Sequence, residues 1–158
     1  MLQKIKQFAL NNLFIDHNKL TETQQENSDH QLQLATIALF IEMMVQDGSE
    51  HKNEKEAVNK AIQSCFKIPT HKIDELFLLA EEELKQSADY FQFTQLINKN
   101  FNQPQKIKII ENLWLIAFSD SQLDDLEEHM VRKIAELIHV PHMQFIKAKH
   151  RAQKSSNE

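Results

Sequence analysis

IENLWLIAFSDSQLDDLEEHMVRKIAELIHV, residues Ile110 to Val140, is the stretch from which the rest of the chain can be read. Ile110, Leu113, Trp114, Ala117 and Phe118 recur at three and four, the spacing of one helical face. The pattern stops at Ser119-Asp120-Ser121-Gln122. A second helical stripe starts at Leu126 and runs through Met130, Ile134, Leu137 and Ile138. Between them stand Asp120, Asp124, Asp125, Glu127 and Glu128, with no Lys or Arg interspersed. The unit reads as helix, acidic corner, helix.

An earlier copy precedes it. Met44-Val45-Gln46-Asp47-Gly48 is followed by Glu54, Val58, Ala61 and Ile62, as Ala117-Phe118-Ser119-Asp120-Ser121 is followed by Glu127, Val131, Ile134 and Ala135. The aspartate-to-glutamate separation is the same in both. Each copy closes on a similar tetrapeptide, Phe66-Lys67-Ile68-Pro69 and Ile138-His139-Val140-Pro141. Two such units can pack about a pseudo-two-fold axis.

Outward from these units the chain stays helical. It has 158 residues, one Gly and three Pro, and too few turn residues for a strand-rich fold. The expectation is a single all-α domain of about seven to eight helices, with two pseudo-symmetric helix–acidic corner–helix units. Leu32 to Val45 is apolar on nearly every side and reads as the central core helix. Gly48, the only glycine, stands where a left-handed helix cap would need one. Leu2, Ile5, Phe8, Ala9, Leu13 and Phe14 suggest an N-terminal amphipathic helix over residues 1–18, suited to docking on the domain or to a membrane surface or a partner. Thr21 to Gln31 has no apolar residue and reads as a loop, giving a polar linker over 19–31. Thr70 is the expected N-cap of a fourth helix. Glu81, Glu82 and Glu83 read as its solvated face. Pro104 fits the first turn of the sixth helix. The chain from Lys149 reads as fraying, with a polar tail over 152–158. Trp114, Met43, Met44 and the Phe-rich segment Tyr90 to Phe101 are assigned to the core.

The net charge of -5 argues against nucleic-acid binding, which needs basic surface. No apolar run approaches the roughly 20 residues of a membrane span, and Met1 to Ile15 lacks the features of a signal peptide. The lone Cys65 fits a reducing compartment, so a cytoplasmic location is expected, with the thiol buried and inert. One glycine excludes a Gly-rich phosphate loop. His139 and His142 lack cysteine partners for zinc. The single Glu136-x-x-His139 pair falls short of a di-iron carboxylate bundle. No nucleophile–base set stands out, so the chain is not expected to be an enzyme.

The acidic corners remain. Glu54 and Glu127 fall in the first turn of a helix, where the dipole favours negative charge, and Asp124 with Glu127 fits a capping box. Asp47 and Asp120 fall at helix C-termini, where a carboxylate is disfavoured by roughly 0.3–1 kcal/mol. A hard divalent cation, Ca or Mg, would offset such oxygen ligands. The candidate metal ligands are therefore Asp47, Glu54, Asp120, Asp124 and Glu127. Side-chain-to-backbone turns at the two aspartates are the alternative. The spacing is not that of an EF-hand.

These residues resemble the tellurite-resistance TerB-like family, whose pattern Asp-Gly-x-(aliphatic)-(Asp/Ser)-x-x-Glu occurs twice in a seven- or eight-helix domain. Asp47-Gly48 with Glu54 matches it, as does Asp120 with Leu123, Asp124 and Glu127. The resemblance spans residues 32–151, including Asp89-Tyr90-Phe91-Gln92-Phe93-Thr94, Leu113-Trp114 and Phe145-Ile146, and is closest to an uncharacterised bacterial branch. Ser121 replaces the second glycine, Glu50 the usual aliphatic residue, and His51 the first Asp/Ser cap. The resemblance implies an all-helical fold with a metal-ion or stress-response role. The competing expectation is a metal-free module that binds a protein partner through an apolar groove or its N-terminal helix.

Overall fold

The structure, a computed structural model, describes residues 2–12, 22–46, 52–86, 92–119 and 128–156. Among these residues there are eight helices and no strand: α1 (Leu2–Asn12), α2 (Glu22–Gln46), α3 (Lys52–Cys65), α4 (Thr70–Gln86), α5 (Gln92–Asn100), α6 (Gln103–Ser119), α7 (Glu128–Leu137) and α8 (His142–Ser156).

Two helices form the centre. From Leu34 to Val45 every residue of α2 is buried, as an all-round apolar helix requires. It packs against α4, α5, α6 and α7. The second is α6, which buries Ile109, Ile110, Leu113, Trp114 and Ile116 and packs against α2, α3, α7 and α8. The partnership is reciprocal: the second helix of each repeat lies on the first helix of the other, α3 on α6 and α7 on α2. A pseudo-two-fold arrangement of two helix pairs produces that exchange. A polar link joins the central pair, for Asn112 Nδ2 donates to Thr36 Oγ1 at 3.4 Å and that hydroxyl donates to the Leu32 carbonyl at 2.6 Å.

Three expectations are corrected. Residues 22–31, read as a polar linker, form the first turns of α2. A helix does not need apolar residues to form: the Glu and Gln residues of this segment are good helix formers and no Gly or Pro interrupts them, and Gln31 at its end is buried. At the other end, α8 continues to Ser156 instead of fraying from Lys149, and Ala152 in the supposed polar tail is wholly buried. Phe145, Ala148 and Ala152 carry one face of the helix over α6. Thr70 is the first residue of α4, not its cap. The Pro69 carbonyl accepts the N–H of Lys72 and Ile73, while the Thr70 hydroxyl accepts from Gln63.

Other local signals act as expected. Pro104 lies in the first turn of α6. That helix opens on a reciprocal capping pair, with the Asn102 N–H donating to Gln105 Oε1 at 2.9 Å and the Gln105 N–H to Asn102 Oδ1 at 3.1 Å. The C-terminus of α7 closes in a Schellman motif. The N–H of His139 reaches the Glu136 carbonyl and that of Val140 the Ala135 carbonyl, with His139 left-handed at φ 62°. The N-terminal helix docks: Ile5, Phe8 and Ala9 are buried, α1 packs on α5, and the Lys72 ammonium lies 5.9 Å from the Phe8 ring centroid.

Candidate functional site

Of the five candidate ligands, Asp47, Asp120, Asp124 and Glu127 lie outside the described residues. Glu54 belongs to the first turn of α3, but its side chain is likewise outside them. In chain order the described part of α2 runs to Gln46, that of α6 to Ser119, and that of α7 from Glu128. Among the described residues no group of three or more His, Cys, Asp or Glu side chains could hold a metal ion. His139 and His142 are exposed.

Tertiary packing and α7 itself each supply a cation at Glu128. The Lys149 ammonium of α8 lies 3.9 Å from Glu128 Oε1 and 5.3 Å from the centroid of the Trp114 ring. Arg132 pairs with the same carboxylate oxygen at 3.2 Å. The rim of the second corner is thus not uniformly acidic, although both cations are engaged at Glu128. Trp114 is buried, stacks on Phe118 at 5.6 Å and tilts against Phe145 at 5.2 Å. Cys65 is half-buried, its thiol donating to the Leu115 carbonyl at 3.4 Å.

A second acidic feature was missed by the sequence reading. Glu42 stands in the middle of α2 and is 1 % exposed; Glu83 of α4 is 3 % exposed. The solvated-face assignment of Glu83 is therefore corrected. Both carboxyls meet the N-terminus of α5. The Phe93 N–H donates to Glu42 Oε2 at 3.1 Å, and the Gln92 N–H to Glu83 Oε1 at 2.9 Å. These N–H groups have no partner within their own helix, so carboxylates are their natural caps. The remaining oxygens, Glu42 Oε1 and Glu83 Oε2, are buried without a hydrogen-bond partner. Burial, and after it the charge of Glu83, pushes the Glu42 carboxyl up to about 9, against the lowering effect of the Phe93 N–H. Burial also raises Glu83, opposed by the Gln92 N–H and by Glu42. The signal was present in the chain: Glu42 is the one charge within Leu32 to Val45, and Glu83 continues the Ile73, Leu76, Ala80 stripe while Leu84 turns outward.

The architecture of the described residues is that of an all-helical domain built on two interlocked helix pairs. A family model described as Tellurite resistance protein TerB matches residues 33–150. The chain belongs to the TerB family. The searches of curated proteins and of solved structures gave no match. No described helix is long and apolar enough to cross a membrane.

Proposed function

We propose that this TerB-family chain is a non-enzymatic, cytoplasmic helical domain that binds a divalent cation, Ca or Mg, at its acidic corners, within a stress response of the kind the family description denotes. One observation supports the reading above others. The described parts of both central helices run up to the segments that hold Asp47 and Asp120, and a carboxylate near the negative end of a helix dipole would be offset by a cation. The donor set is all oxygen and suits a hard cation. Asp47 and Asp120 would be direct ligands, with Asp124, Glu54 and Glu127 as further ligands or helix caps. The bound cation would supply, at an acidic corner, the positive charge that Asp120 lacks near it in sequence.

The alternative, a metal-free module that binds a protein partner, has Leu10 and Leu78 as exposed apolar contacts, at 58 % and 64 %. Single exposed leucines are ordinary on a protein surface, so the cation reading stands first. The apolar face of α1 is occupied within the core, so a partner or membrane contact through it would require undocking.

Trp114, the only tryptophan, sits in the last half of α6 and reports on the corner that follows. Titration with Ca or Mg should raise the melting temperature and change Trp114 emission. At a hundredfold excess over the dissociation constant, mass action contributes about 2.7 kcal/mol. Asp120→Asn should abolish both responses. An unchanged melting temperature and spectrum in the parent protein at millimolar cation would refute the reading.

A further inference from the structure

The Glu42–Glu83 pair does more than cap a helix. Two carboxyls from different helices, α2 and α4, converge on the first turn of α5, and each spends one oxygen on an α5 N–H. That leaves two buried carboxyl oxygens with no donor. Two buried carboxylates beside each other repel, and the α5 terminus supplies only about half a positive charge. Glu83 is the charged side chain that bears on Glu42. At this end α5 has no charged side chain; its only one, Lys99, is exposed in the last turn. Lys106 of α6 and Lys6 of α1 make no ion pair with either carboxyl among the described contacts.

We propose that Glu42 and Glu83 hold one proton between them, and that this proton-bridged pair is a latch fastening α5, and through it α1, onto α2 and α4. The Glu42 carboxyl donates to Glu83, both orphan oxygens are satisfied, and one net negative charge faces the α5 dipole. Deprotonation leaves two buried anions on a single helix terminus, and the first turn of α5 separates from them. Since α1 packs on α5, it loses that support in the same event, while Phe8 keeps its contact with Lys72 of α4. The latch is closed at neutral and acidic pH and opens at alkaline pH. It is independent of the acidic corners.

Carboxyl carbon NMR of the full chain provides the direct test. One glutamate resonance should titrate far above the ordinary carboxyl range, and it should be missing from Glu42→Gln and shifted in Glu83→Gln. Amide exchange, corrected for the intrinsic pH effect, should show Gln92 and Phe93 losing protection together with α1 as pH rises from 7 to 10. In Glu42→Gln, whose amide keeps both hydrogen bonds without a titrating proton, that protection should persist. The proposal is overturned if every glutamate titrates in the ordinary range, or if α5 loses protection equally in Glu42→Gln. It is also overturned if the high-titrating resonance responds to millimolar Ca or Mg, since a cation rather than a proton would then bridge the pair. Should Glu42→Gln fail to fold, Glu83→Gln and the parent titration decide.

Discussion

Replacing Glu42 with Gln should change how stability depends on pH more than it changes stability itself. In the unfolded chain both carboxyls titrate near the ordinary 4.5. In the folded chain Glu42 retains its proton up to about 9. Between those limits the folded state binds one proton more than the unfolded state. A group whose folded value is raised contributes its full stability below the unfolded value and loses it as pH climbs through the folded one. Stability should therefore fall with rising pH by about 1.4 kcal/mol per unit. From pH 6 to pH 9 the loss approaches roughly 4 kcal/mol, or about 8–16 °C in melting temperature for a chain of this size. Gln matches the shape of the protonated acid: its oxygen can accept the Phe93 N–H and its amide can donate to Glu83. Urea unfolding at pH 6, 7, 8 and 9 should give curves for parent and variant that diverge upward in pH, the variant becoming the more stable. Glu42→Ala, which orphans the Phe93 N–H and opens a cavity, should lose stability at every pH. Parallel pH profiles for the parent and Glu42→Gln would refute the reasoning.

Further outcomes follow from the packing and the helix ends. Ile37→Ala removes a fully buried side chain from the central helix and should cost about 2–5 kcal/mol by urea unfolding. His139→Gly relieves a left-handed residue and should stabilise by up to about 1 kcal/mol, whereas a β-branched Val there should destabilise, both measured as midpoint shifts. Asn102→Ala breaks the capping pair of α6 and should cost about 1 kcal/mol in the same assay. Lys149→Met removes a surface ion pair whose carboxylate keeps Arg132; stability should change by less than about 1 kcal/mol, while Trp114 emission shifts because the ammonium leaves its ring face.

The chain alone carried most of the helical plan because helix periodicity is local. Ile110, Leu113 and Trp114 recur at the spacing of one face, and Leu34 to Val45 has only Thr36 and Glu42 as polar residues. Where apolar residues ran out, the reading failed in both directions. Residues 22–31 read as a linker, and the end of α8 as a fraying tail, because hydrophobic pattern reports burial rather than helicity. Ala152 adds little to a stripe because its side chain is small, yet it is wholly buried.

Charge was the harder matter. Local sequence places Asp47 and Asp120 at helix ends and pairs each with a glutamate seven residues on, which is enough to nominate an acidic corner. It cannot show that Lys149 crosses from α8 to Glu128, a contact between residues 21 positions apart. Nor can it show that Glu42 and Glu83, from two helices, meet two N–H groups of a third. Periodicity and helix polarity act between neighbours in the chain, so they are written in the order of residues. The burial of a carboxyl and the partner that neutralises it depend on which helices lie side by side, and only the folded arrangement decides that.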